Sequence, residues 1–162
     1  MTVVDADHVK DRFNFDKELG GGNPGCVVYL CKDKITHEYV ACKSIEKTSS
    51  AYQNGSVKRE IEMMIMLRTH LNVVGLKRVY DDDNHVHIVM DFAIVELLYT
   101  EISNRIIFSW PRKDGCSDIR LGDFGFATYI QPVQNLERFC GTQYYKAPEI
   151  LYENPYDQAV DV

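Results

Sequence analysis

The sequence is short of positive charge: 18 Lys and Arg stand against 24 Asp and Glu, a net charge of −6. Binding to nucleic-acid phosphates needs a basic stripe, and none is present, so no nucleic-acid partner is expected. The five cysteines, Cys26, Cys31, Cys42, Cys116 and Cys140, are odd in number and contain no C-x-x-C, so they indicate neither a disulfide framework nor a zinc site. They read as reduced thiols of a cytoplasmic or otherwise intracellular protein. No run approaches 18 apolar residues, and residues 1–11 are polar and acidic without an apolar stretch, so neither a membrane span nor a secretory leader is expected. Internal repeats and low-complexity tracts are absent too. With 45% hydrophobic and 26% charged residues the composition is that of a chain that folds. At 162 residues it holds one domain with a sizeable core, or one small lobe and part of another.

What is present begins with glycine. Residues 13–19 read as a strand that enters Gly20-x-Gly22-x-x-Gly25-x-Val27, and the β-branched stretch 26–30 reads as the strand that leaves it. A dinucleotide-binding G-x-G-x-x-G opens a helix instead, and Val27-Val28-Tyr29 is a poor helix start. In a strand–turn–strand the glycines let backbone N–H groups close over nucleotide phosphates. Pro24, at the tip, has no N–H to offer. A third strand, 38–44, carries Lys43. The stretch 54–68 has Val57, Ile61, Met64 and Ile65 near the helical period, with Ser56 as a possible cap. Two further strands, 76–80 and 85–90, flank the polar turn 81–84. His70, His85 and His87 show no metal-ligand partner at a sensible spacing, which points to structural or solvated roles. Asp123 follows the short strand-like stretch 119–121 and lies two residues before Gly125, a carboxylate at a strand end placed to hold a hard cation such as Mg²⁺.

Four motifs in order, the glycine stretch, Val40-Ala41-Cys42-Lys43, Asp123-Phe124-Gly125 and Ala147-Pro148-Glu149, resemble the protein-kinase signature set, from about Phe13 to the last residue. The stretch 140–149 is most similar to Ser/Thr kinases of the calcium/calmodulin-dependent branch. The resemblance implies an α+β fold: an extension over 1–12, an N-terminal lobe over 13–93 with antiparallel sheet, one helix and a hinge, and a partial C-terminal lobe over 94–162. It implies ATP and Mg²⁺ as cofactors and a protein substrate or docking partner. By the same resemblance Leu19, Gly20, Gly22, Gly25, Val27 and Ala41 line the nucleotide, with Ile106 completing the set. Lys43 holds the α- and β-phosphates and Glu60, 17 residues on, orients it. Glu60 is preferred to Glu62 because Val57 and Met64 flank it on the inward face. Met90 becomes the gatekeeper, Asp91 and Ala93 the hinge, and Asp123 with Asn104 the metal ligands.

The pattern breaks between hinge and Asn104. After a short helix expected over 95–102, the position five residues before Asn104, where H-R-D-x-x-x-x-N places its aspartate, is Tyr99, and no H-R-D occurs elsewhere. The general base is therefore missing. Residues 130–141 contain no Ser or Thr, leaving Thr128, Thr142 and nearby tyrosines as phosphorylatable groups. Asp161 falls where the family braces its catalytic loop, at the start of a helix expected over 157–162. The arginine that would pair with Glu149 is absent, so that segment is expected to be loosely held. Three readings follow: an ATP-binding kinase-domain chain with negligible transfer, a degenerate kinase used as a scaffold, and an active kinase missing a block between about Thr100 and Asn104 as well as its later helices. A dinucleotide enzyme fits poorly, since repeated βαβ units are lacking.

Overall fold

The computed structural model describes residues 4–5, 8–21, 24–92, 106–111, 117–130, 135–137, 139 and 146–161. Its first half is a six-stranded sheet in the order β1-β5-β6-β4-β3-β2, from β1 (Val4–Asp5), β2 (Phe13–Gly20), β3 (Cys26–Asp33), β4 (Tyr39–Glu46), β5 (Leu76–Asp81) and β6 (His85–Asp91). Five strands are antiparallel; β1 joins β5 in parallel, pairing Val4 with Val79. β3 and β4 are rich in Val, Ile, Tyr and Cys, side chains that suit a pleated surface.

Strand alternation sends neighbouring residues to opposite faces. One face gathers Ala41, Ile45, Val86, Ile88 and Met90 against Val57 and Met64 of helix α3 (Ser56–Met66). The other gathers Cys31, Val40, Cys42, Tyr80 and Val89 with Phe13 and with Val9 of the short helix α1 (Val9–Arg12). Each fully buried aliphatic of these clusters contributes about 1.5–3 kcal/mol of transfer free energy. Val9 thus seats the N-terminal segment into a core.

Helix α3 buries Val57, Glu60 and Met64 on one stripe and leaves Glu62 exposed. It is shorter than the expected 54–68, and Ser56 is its first residue rather than its cap. Gly55, with φ 75°, takes the cap position, while the Asn54 side chain accepts from the Ser56 N–H at 2.9 Å. Gly accommodates that left-handed turn without a Cβ clash. A second short helix, α2 (Ser50–Gln53), precedes it and is capped by Ser49.

The second half contributes a hairpin, β7 (Ile106–Pro111) with β8 (Ser117–Gly122), in register Ile107 to Leu121. Backbone bonds join it to the loop after α3: Leu121 N donates to Asn72 O at 2.7 Å and Val74 N to Leu121 O at 2.9 Å. This junction carries Asp123 to the side of α3. Further on, α4 (Pro148–Leu151) buries Ile150, and Leu136 and Tyr156 exchange two backbone hydrogen bonds. The helix expected over 157–162 is a single 3₁₀ turn, Gln158–Asp161. The helix expected over 95–102 and the window around Tyr99 lie outside the described residues. Among the described residues no helix is long and apolar enough to cross a membrane.

Candidate nucleotide site

Lys43 leaves β4 on the helix-covered face and meets α3 at Glu60. Its Nζ donates to Glu60 Oε1 at 2.7 Å and Oε2 at 2.9 Å, and to Asp123 Oδ1 at 3.2 Å. The three side chains come from a strand, a helix and the end of β8. Glu60 is buried, Lys43 keeps 15% of its side chain exposed and Asp123 36%. The charge therefore points from a dry pair toward an open carboxylate.

Burial alone would lower the Lys43 pKa, yet the Glu60 and Asp123 carboxylates more than offset it and hold the ammonium above the usual lysine range. Burial likewise raises the Glu60 carboxyl, and Lys43 offsets only part of that. The ion pair depends on both partners remaining in place.

Asp123 sits at φ 58°, a left-handed conformation that Asp tolerates better than most residues. The Gly125 N–H donates to its Oδ1 at 3.4 Å, and a Cβ on Gly125 would stand 3.3 Å from that oxygen. Between them Phe124 is buried in the same cluster as Met64 and Val73. The aromatic ring anchors the aspartate beside Lys43.

The glycine loop is placed at both ends. Gly20 ends β2; Gly25, at φ 76°, turns the chain into β3, where a Cβ would stand 3.0 Å from Ser49 Cβ. Pro24 is exposed in this turn. Gly22 lies outside the described residues. Gly21 was not among the expected site residues, yet a Cβ there would strike Cys26 O at 2.6 Å. The run of three glycines was the available signal.

Leu19 is exposed and Val27 half-buried, while Ala41 and Met90 are buried and face each other in register across β4 and β6. At the end of β6, Asp91 N donates to Gly75 O at 2.9 Å, and the Asp91 carboxylate pairs with Lys77 at 3.0 Å and Arg120 at 3.3 Å. A Cβ on Gly75 would lie 2.6 Å from Asp91 Oδ2, so a side chain there would push the carboxylate away from its two cations. Ala93 and Asn104 lie outside the described residues, as does the side chain of Ile106.

One expectation is corrected. His85 and His87 do have a potential metal-ligand neighbour, Asp82, which the β5–β6 turn brings back to them with all three donor atoms within 4.8 Å of one another. His70 keeps a structural role, its Nδ1 accepting from Asn72 N at 3.2 Å.

The family pattern described as Protein kinase domain matches residues 13–114 and 112–162. The chain belongs to the protein kinase family. Similar proteins include "Calcium-dependent protein kinase 10" of Arabidopsis thaliana, 31% identical over 190 residues, covering 95% of this chain and 34% of the relative. "Calcium-dependent protein kinase 13" of the same plant is 29% identical over 198 residues, with 100% and 37% covered. "Calcium-dependent protein kinase 20" of Oryza sativa subsp. japonica is 30% identical over 187 residues, with 93% and 34% covered. These names agree with the Ser/Thr, calcium-linked resemblance of the stretch 140–149. This kinase chain spans about a third of the length of the curated relatives it matches. The first alignment occupies 190 positions while drawing on 95% of 162 residues, so that relative carries residues inside the span that this chain does not.

Proposed function

We propose that this chain binds ATP with Mg²⁺ on the Lys43 face of its sheet and transfers phosphoryl groups very slowly or not at all. The observation that carries the reading is the Lys43 ammonium held between the buried Glu60 and the exposed Asp123. A lysine so placed is fixed in direction and stays charged, which suits contact with the α- and β-phosphates. Gly20, Gly21 and Gly25 shape the loop above, Val27 and Ala41 offer apolar cover for the base, and Met90 with Asp91 borders it.

The donor set fits a hard cation. Asp123 presents an accessible carboxylate beside the ammonium, the oxygen chemistry that Mg²⁺ prefers. Asp123 would hold the ion, with Asn104 as a second ligand proposed from resemblance. When bound, Mg²⁺ neutralises phosphate charge. The remaining work falls to this chain's own groups: Lys43 orients the phosphates, Glu60 orients Lys43, and Phe124 keeps Asp123 in position.

Transfer asks for a group that accepts the proton of the substrate hydroxyl. No H-R-D stands before Asn104, and the relatives carry residues in the aligned span that this chain lacks. Positioning and electrostatics survive such a loss better than turnover does, so binding outlasts catalysis. Titration of the purified chain with a fluorescent ATP analogue should show Mg²⁺-dependent binding that Lys43→Ala weakens by an order of magnitude or more. Robust phosphorylation of a protein substrate, abolished by Lys43→Ala, would instead establish an active kinase.

A further inference from the structure

The sheet face opposite Lys43 carries a second group of ligating side chains. Alternation along β6 puts His85 and His87 on one face, and the turn before that strand returns Asp82 to both. Asp82 Oδ2 lies 3.0 Å from His87 Nε2, and Oδ1 lies 3.8 Å from His85 Nδ1. The turn is built around the same carboxylate, whose Oδ1 accepts the backbone N–H groups of Asn84 at 2.9 Å and His85 at 2.7 Å. Asp82 is thus fixed before any ligand arrives.

His87 is fixed from behind. Its ring is buried, and its Nδ1 lies 2.8 Å from the Oγ of buried Ser44, the residue opposite it on β4. Metal-bound histidines engage their second nitrogen in this way, which sets the tautomer and leaves Nε2 to the ion. His85, by contrast, has a side chain 39% exposed, so its ring can turn about χ2. The two rings already stand nearly parallel, 22° apart, with centroids at 5.6 Å. The neighbouring cation does not occupy the carboxylate: Lys47 pairs with Asp81, at 2.6 Å.

We propose that His87 Nε2, His85 Nδ1 and one oxygen of Asp82 bind a divalent transition-metal ion, Zn²⁺ being the best match, with water in the fourth position. Tetrahedral Zn²⁺, with bonds of roughly 2.0–2.1 Å, sets neighbouring donors about 3.3 Å apart. His87 Nε2 stands 3.0 Å from Asp82 Oδ2, close to that value; His85 Nδ1 stands 3.8 Å from the carboxylate's other oxygen, and with all three donors within 4.8 Å of one another a turn of the exposed His85 ring brings its nitrogen into the set. Two imidazoles and one carboxylate select Zn²⁺ over Mg²⁺ or Ca²⁺, which favour all-oxygen sets. The ion takes the place of the proton between His87 Nε2 and Asp82 Oδ2: in a neutral ring that proton is relocated to Nδ1, which then donates to Ser44 Oγ, and in a charged ring it leaves to solvent. Binding would clamp the β5–β6 turn to the strand that follows it, on the sheet face away from the nucleotide.

The test uses the full purified chain and Co²⁺ as a spectroscopic probe, with Zn²⁺ as competitor. One equivalent of Co²⁺ should produce visible d–d absorption without a thiolate charge-transfer band. Zn²⁺ should abolish it and excess Mg²⁺ should not. His85→Ala, which removes an exposed ring and leaves the buried ones in place, should weaken Zn²⁺ binding at least about tenfold; Ser44→Ala should do so through His87 alone. Zn²⁺ should raise the Tm of the wild type and leave that of His85→Ala unchanged. A thiolate band, undiminished affinity in His85→Ala, or no Co²⁺ binding at millimolar concentration would each overturn the proposal.

Discussion

Glu60 embraces the Lys43 ammonium with both carboxylate oxygens, at 2.7 and 2.9 Å, across 17 residues of chain. The pair joins the only long helix among the described residues to the middle of the sheet. Its worth is in its pairing. Removing one partner strands a buried charge, so Lys43→Met should destabilise the fold by about 3–5 kcal/mol, because Glu60 loses its counterion. Lys43→Met with Glu60→Leu should recover most of that loss. Urea denaturation of the wild type, the two single variants and the double variant measures the coupling, and additive losses would show that the two charges act independently.

A different carboxylate sets an acid limit to stability. Burial would raise the Asp33 pKa, but the N–H groups of Thr36 and Ile35 and the Arg12 guanidinium more than offset it and hold it below the usual range. The contacts measure 3.0 Å to Thr36, 2.7 Å to Ile35 and 2.9 Å to Arg12. With the folded pKa depressed, this stability is complete above the unfolded value of about 3.9 and is lost as pH falls through the lower folded value. Asp33→Asn should cost roughly 1–2 kcal/mol at neutral pH and flatten the fall in Tm below about pH 4. An unchanged acid profile in the variant would assign the limit elsewhere.

The glycine loop predicts a binding defect with little loss of fold. At Gly21 a methyl group would meet the backbone oxygen of Cys26 at 2.6 Å, and backbone cannot swing away as a side-chain tip can. Gly21→Ala should therefore open the loop, weakening ATP several-fold while costing on the order of 1 kcal/mol or less in stability. Parallel nucleotide titration and thermal melting separate the two effects. Equal ATP affinity in the variant would mean that the loop does not close on the phosphates.

Much of this was legible because it is local or periodic. The strands around the glycines follow from β-branched runs, and the choice of Glu60 over Glu62 follows from its position between Val57 and Met64 on a 3.6-residue stripe. Other features depend on close approach that no spacing reveals. At Gly75 a Cβ would stand 2.6 Å from the Asp91 carboxylate, so a side chain there would displace it. His85 and His87 share a face by simple alternation, but their convergence with Asp82 needs the turn in which that carboxylate binds its own backbone two and three residues on. The helix start moved for a similar reason: Gly55 adopts a left-handed φ and Asn54 reaches across it, so Ser56 is drawn into the first turn.

Asp123 separates cation dependence from phosphate binding. Its φ of 58° is one that Asn adopts as readily as Asp, so Asp123→Asn keeps the backbone and an oxygen for the Gly125 N–H while removing the charge. The contact with Lys43 at 3.2 Å is partly exposed, so its loss should shift stability by less than about 1 kcal/mol, with Glu60 still holding the ammonium. Nucleotide phosphates are repelled by that carboxylate when no cation lies between them and attracted through it when one does. The variant should accordingly bind ATP more tightly than the wild type in EDTA and more weakly in millimolar Mg²⁺. Titrations under both conditions give the ratio of affinities directly: above one in the wild type and close to one in Asp123→Asn. A variant that keeps the full Mg²⁺ enhancement would place the cation on other groups and leave Asp123 as a partner of Lys43 alone.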